Sequence, residues 1–206
     1  MEKDSIKMVN FDVSVRIPED IHPRAVIVID ENYVGYPFVM SAMFRESIRY
    51  IKDKYGENTI GAEIGVYRGE NALNVFRYLA PKLLILVDTW AELDITSGEY
   101  THCDENDFKI AKNHLKEVSE NRLKWIKKPS VDAVIEVPDG FLDWVYIDGN
   151  HSYKNVKEDI IAWTPKVREG GVIAGHDIRT PSVKQAVVEI NPEYQSATDD
   201  WWFVKR

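Results

Sequence analysis

Short runs of aliphatic and β-branched residues alternate along this chain with stretches whose apolar positions recur every three or four residues. A continuous apolar run reads as a strand buried on both faces, and the three-to-four spacing reads as one face of a helix. Strands are predicted at Thr59–Gly65, Leu83–Val87, Leu123–Lys127, Leu142–Asp148, Val172–Asp177 and Trp201–Lys205. Four helix faces fall between them: Ala72, Val75, Phe76 and Leu79; Phe108, Ala111, Leu115 and Val118; Tyr153, Val156, Ile160 and Trp163; Val183, Ala186, Val187 and Ile190. Pro165 ends the third, and Ser182 with Gln185 matches a capping box at the start of the fourth. Strands alternating with helices predict a doubly wound α/β domain with a mostly parallel sheet. In such sheets ligands sit beyond the carboxyl ends of the strands.

The first 57 residues fit this pattern less well. Ala25–Ile29 is a β-branched run, and Pro37 opens a helix-like face of Met40, Met43, Phe44, Ile48 and Ile51. Residues 1–57 read as an N-terminal extension, helical in part, packed on a core of residues 58–206. Residues 91–105 read as a polar loop, long enough to form part of a lid.

Composition narrows the class. A chain of 206 residues with 44 % hydrophobic and 29 % charged residues suits one globular domain with an appendage. Cys103 is the single cysteine, so no intrachain disulfide and no zinc site built on several cysteines can form. The N-terminus shows no apolar signal core, and no run approaches a membrane span, so a cytoplasmic protein without membrane contact is expected. A net charge of −8 argues against a nucleic-acid partner. The charge is uneven: residues 92–107 carry six acids and no Lys or Arg, whereas residues 109–128 carry seven basic residues against two Glu. This reads as a solvated loop followed by a solvated helix face.

Two constellations at strand ends carry candidate chemistry. Glu63-Ile64-Gly65-Val66-Tyr67-Arg68-Gly69 joins a strand to a helix. Its glycines permit close approach of a ligand to the backbone, and the helix N-terminus can hold a carboxylate. The Gly-x-x-x-Gly spacing departs from the dinucleotide fingerprint, and Glu63 would repel a pyrophosphate but accept bonds from an ammonium group. The plain alternative is a tight turn without a ligand. Asp88 lies one α/β unit later, at the tip of the second strand, where a carboxylate can accept both hydroxyls of a ribose. The alternative there is a solvated strand-end acid.

The stretch EIGVYRGENA at Glu63–Ala72 resembles motif I of class I S-adenosylmethionine-dependent methyltransferases, close to the form found in catechol O-methyltransferase-like enzymes. Tyr146-Ile147-Asp148-Gly149-Asn150-His151-Ser152-Tyr153 and Gly170-Gly171-Val172-Ile173-Ala174-Gly175-His176-Asp177 resemble a group of small bacterial methyltransferases. The resemblance covers residues 58–206. It implies a Rossmann-like sheet of about seven strands with the last antiparallel, and S-adenosylmethionine as cofactor. It further implies that Glu63 meets the methionine end of the cofactor and that Gly65, Tyr67 and Gly69 supply backbone around it. Asn71 stands where the relatives often carry Ser. Asp88 would hold the ribose, Thr89 and Trp90 would flank the adenine, and Ser130 would meet it after the third strand. The acid usual before that position is replaced by Pro129.

In the metal-dependent O-methyltransferases the fourth strand ends in Asp and the fifth in an acidic or amide pair, together holding a divalent cation. Asp148 matches the first position, and His176 and Asp177 occupy the pair. The basic residue that activates the acceptor lies three residues past the strand-four Asp, which here is His151. Independently of the resemblance, a hydroxyl acceptor needs a base or cation to lower its proton affinity, and His titrates near neutrality. A His ligand disfavours magnesium and leaves manganese, zinc or no metal open. Two plainer readings stand beside this one: His176 and Asp177 hydrogen-bonded to each other, and His151 capping the helix near Ser152. The expected activity is methyl transfer to a small-molecule or glycan hydroxyl, with His151 and Asp148 catalytic, Asp148 also beside the cofactor, and a homo-oligomer allowed. The alternatives are a metal-dependent hydrolase or hydroxylase using the same side chains, and a non-catalytic cofactor-binding protein.

Overall fold

The computed structural model describes residues 45–91 and 103–206. The apolar run at 25–29, the segment 37–44 and most of the loop at 91–105 lie outside them. Helix α1 (Glu46–Tyr55) is followed by β1 (Ile60–Ile64), α2 (Glu70–Leu79), β2 (Leu83–Asp88), α3 (Glu105–His114), β3 (Leu123–Lys127), α4 (Ser130–Ala133) and β4 (Leu142–Ile147). The chain then forms α5 (Tyr153–Trp163), β5 (Val167–Gly175), α6 (Pro181–Ile190), β6 (Gln195–Ala197) and β7 (Asp200–Val204).

The seven strands form one sheet in the order β3-β2-β1-β4-β5-β7-β6. The first five are parallel, and β7 runs antiparallel to both β5 and β6. The Rossmann-like sheet whose last strand, β7, is antiparallel is therefore as expected. Both faces of the central strands are covered, which explains their largely apolar sequences. Ile85, Val87, Val145 and Ile147 pack with Val156, Ile160 and Trp163 on one face. Leu84, Leu86, Trp144 and Tyr146 pack with Ile48, Ile51, Val75 and Leu79 on the other. α1 is part of the same compact unit as the sheet.

Three local expectations are corrected. The strand expected at 172 begins at Val167, because Gly171 lets it pass close under its neighbours: a Cβ there would strike the Val167 side chain and the Asp143 carbonyl. The Ser182–Gln185 capping box does not form. Thr180 is the N-cap, Pro181 takes the first turn, and the Ser182 hydroxyl instead donates to the His151 carbonyl at 2.6 Å. The third helix ends at His114, before Leu115 and Val118, and its start is fixed by a capping box between Asp104 and Asp107.

Candidate active site

β1 and β4 are neighbours whose following helices depart to opposite faces of the sheet, which opens a crevice at their carboxyl ends. A cleft of about 580 Å³ lies there, between the ends of β1, β2 and β4 and the helices α4 and α5. Gly65, Tyr67, Asp88, Thr89, Ser130 and Asp148 all line it. Gly65 is held at φ 86° between β2 and β4, and a Cβ on it would overlap the Asp148 carbonyl. Only glycine closes this turn. Gly69 begins α2 without a side-chain cap, and the Glu70 carboxylate accepts from its own backbone N–H in the first turn.

Asp88 organises this half of the site. Its Oδ2 accepts from the Val66 and Tyr67 N–H groups at 2.9 and 2.8 Å, and its Oδ1 accepts from the Trp90 N–H at 3.1 Å. The Cys103 thiol lies 3.5 Å from Oδ1 and is pushed up to about 12, first by burial and then by the Asp88 charge. A thiol is a weak donor, so it is the partner a ribose hydroxyl would displace most easily.

Trp90 stands apart from the expected adenine contact. It is 1 % exposed, its indole N–H donates to the Tyr67 carbonyl at 2.8 Å, and its ring packs on Phe108 and Trp125. A positive φ of 40° turns this side chain into the core.

Glu63 and Asn71 are also withdrawn from the cleft wall. Glu63 lies on the opposite face of β1 from Ile64, 1 % exposed, and its Oε1 accepts from Asn71 Nδ2 at 3.0 Å. Burial pushes its carboxyl up to about 8, with the Asn71 hydrogen bond opposing. Glu63 Oε2 and Asn71 Oδ1 are both buried acceptors without a donor. A protonated Glu63 satisfies both at once, because its hydroxyl can donate to the amide oxygen and close a reciprocal acid–amide pair.

The second half of the site lies at the ends of β4 and β5. His151 Nε2 is 3.0 Å from Asp177 Oδ2, and His176 Nδ1 is 3.1 Å from the same oxygen. The hydrogen bonds from His151 and then His176 hold the Asp177 carboxyl well below the usual range. Asp177 adopts φ 59°, a left-handed conformation that turns it back toward both imidazoles. His176 Nδ1 is 3.9 Å from Asp148 Oδ1, and burial raises the Asp148 carboxyl against the opposing charge of Arg45. His151 does not cap α5: Ser152 does, accepting from the Asn155 N–H.

Asp148, His151 and Asp177 each bring a ligand atom to within 4.8 Å of the others, as do His176, Asp177 and Asp199. The expected cation set named His176 with Asp148 and Asp177, whereas His151 is the imidazole grouped with those two carboxylates. Asp199 was missed because it follows a short strand, β6, that carries no apolar signal.

Arg45 was missed as well. Its guanidinium lies 3.3 Å from Asp148 Oδ2 and 3.8 Å from Asp200 Oδ1, above the Tyr146 ring. Asp200 also accepts from the Tyr146 hydroxyl and from the Ser47 N–H and hydroxyl. A single Arg before a helix carries no local signature that would mark it. Among the described residues no helix is long and apolar enough to cross a membrane.

Comparison with known proteins supplies the context. Residues 62–178 match the family model described as a methyltransferase domain. An uncharacterized protein of Sinorhizobium fredii is 31 % identical over 91 residues, 44 % of this chain and 10 % of that protein. The chain thus corresponds to a small part of that longer relative. Among solved structures, the O-methyltransferase NovP aligns with a TM-score of 0.61 at 17 % identity, covering 78 % of each chain. Cofactor-bound Rv0187 from MTB aligns at 0.57 and 16 % identity, over 81 % of this chain and 82 % of that one. CalS11, a TDP-rhamnose 3'-O-methyltransferase, aligns at 0.53 and 12 % identity, over 77 % of each. At these identities the structures speak to the fold.

Proposed function

The chain belongs to the methyltransferase-domain family, and from that membership we propose that it transfers the methyl group of S-adenosylmethionine to a hydroxyl of a small molecule or glycan. Methyl transfer follows from the family; the oxygen acceptor is our reading. The observation that carries it is the His151–Asp177 pair at 3.0 Å, three residues past the Asp148 that lines the cofactor cleft.

The residues present fit S-adenosylmethionine. The cleft volume lies in the range of small-molecule sites. Gly65 brings backbone to its wall, and Asp88 suits the ribose. Glu63, protonated and paired with Asn71, would accept from the ammonium only on losing that proton, directly or through water. The bound sulfonium supplies an electrophilic methyl. The protein's task is to hold an acceptor oxygen in line with it and to remove a proton. With Nε2–H of His151 directed at Asp177, the basic nitrogen of its neutral ring is Nδ1. His151 Nδ1 takes the hydroxyl proton as the oxygen attacks, and the ionised Asp177 stabilises the resulting imidazolium. Asp148 and His176 shape the polar wall where the acceptor enters. O-methyltransferases among the structural neighbours, one of them acting on a TDP-sugar, support an oxygen acceptor of this kind.

The grouping of Asp148, His151 and Asp177 favours a second reading, in which a divalent cation binds the acceptor oxygen. One nitrogen and two carboxylate donors suit manganese or zinc better than magnesium. The Arg45 guanidinium on Asp148 already supplies a positive charge there and weighs against it. Transfer of isotopically labelled methyl to a panel of sugar and phenolic hydroxyls, with and without chelator, tests both readings. Transfer that survives chelation supports His151 acting alone; transfer abolished by chelator and restored by manganese supports the cation. Labelling of amines or thiols with no hydroxyl accepted would overturn the oxygen acceptor.

A further inference from the structure

Where α4 packs against α5, the cleft carries a buried acidic side chain that the scheme above leaves unused. Asp159 lies on the inward face of α5, is 5 % exposed and lines the cleft beside Ser130 and Val131. Behind it, the Trp163 indole N–H donates to Ser130 Oγ at 2.8 Å. Ser130, placed by the resemblance as an adenine contact, has its oxygen already engaged by Trp163.

The carboxylate is the polar group that this arrangement offers instead. Burial pushes it up to about 6 with nearby Ser130 opposing, so near neutrality it is mainly an ionised acceptor. Its neighbour Glu158 also lines the cleft, but its side chain is 45 % exposed and its charge is dispersed by water. Pro129, Val131 and Ile64 supply apolar surface around Asp159. Apolar walls with one buried acceptor suit a flat heteroaromatic ring that bears an N–H donor at its edge. Asp88, the proposed ribose holder, lines the same cleft, so a purine attached to that ribose would extend toward β3 and α4.

We propose that Asp159 selects the base of the cofactor by accepting a hydrogen bond from the exocyclic amine of adenine. This rests on the reading of the cleft as the S-adenosylmethionine site. The sequence has Pro129 where an acid is usual after the third strand, and Asp159 restores an acidic acceptor from a different helix.

The test compares S-adenosylhomocysteine with its 6-deamino analogue, whose purine carries hydrogen in place of the amine. Wild-type protein should bind the amino compound about tenfold or more tightly, the expected size for a charge-assisted hydrogen bond. Asp159→Ala should abolish that preference, and Asp159→Asn, which keeps a neutral acceptor, should retain a reduced one. Ser130→Ala keeps the carboxylate and should keep a preference. Equal affinity of the wild type for the two ligands would overturn the proposal and requires no variant. So would an Asp159→Ala protein that weakens both ligands by the same factor. Failure of the wild type to bind S-adenosylhomocysteine at all would instead count against the underlying reading of the cleft.

Discussion

The carboxyl edge of the sheet is divided into two regions built in different ways. Around β1 and β2, Asp88 has three backbone donors and a thiol arranged about one carboxylate, and the turn it holds is closed by Gly65. Around β4 and β5, by contrast, His151, His176, Asp148, Asp177 and Arg45 crowd together, with two imidazoles sharing one carboxylate oxygen. The first region is preorganised by main chain and suits recognition of a constant ligand. The second is built from side chains whose protons can move, which suits chemistry on a variable acceptor.

The largest effect expected to separate the regions comes from His151. His151→Ala should lower kcat by about 10²–10⁴ and leave cofactor affinity nearly unchanged. The acid limb of the wild-type rate profile should vanish in the variant. A variant with normal kcat would reduce His151 to a structural partner of Asp177.

Arg45 comes next. Its side chain is 20 % exposed and bridges Asp148 and Asp200. Removing one partner of such a buried cluster leaves uncompensated carboxylates, so Arg45→Met should cost about 3–5 kcal/mol in denaturant unfolding. An unchanged unfolding midpoint would show that the two carboxylates accept protons there without strain.

Glu63 gives a smaller effect with a definite sign. Its carboxyl titrates at about 8 in the fold against 4.5 ordinarily. The folded state keeps this proton where the unfolded chain has lost it. The contribution is therefore fully present below about pH 4.5 and is lost as pH rises through about 8. The slope is at most about 1.4 kcal/mol per pH unit. Glu63→Gln, which stays neutral and can still pair with Asn71, should lack this decline between pH 6 and 8. Parallel melting curves for the two proteins across that range would count against the acid–amide pair.

The contrast between the two regions also explains what the sequence made legible. β2 and β4 could be read nearly to the residue, because central strands covered on both faces are apolar over most of their length. Gly65 and Asp88 were legible for a similar reason: turn geometry and a strand-tip acid are local demands. Asp148, His151, His176 and Asp177 could be named as a set, but their pairing depends on the left-handed turn at Asp177 and on how β4 and β5 align. Trp90 was misplaced because a positive φ decides its direction. Arg45 acts through a partner more than a hundred residues away, and Asp159 lines the cleft beside Ser130, about thirty residues earlier in the chain. Single-chain periodicity does not encode such contacts.

The most direct test of the central claim is titration calorimetry of the purified protein with S-adenosylhomocysteine, repeated on Asp88→Ala. Saturable one-site binding by the wild type is predicted. A loss of about tenfold or more is predicted for the variant, from a charged hydrogen bond of about 1.5–3 kcal/mol. Absence of binding by the wild type, or tight binding of a nicotinamide dinucleotide in its place, would contradict the account.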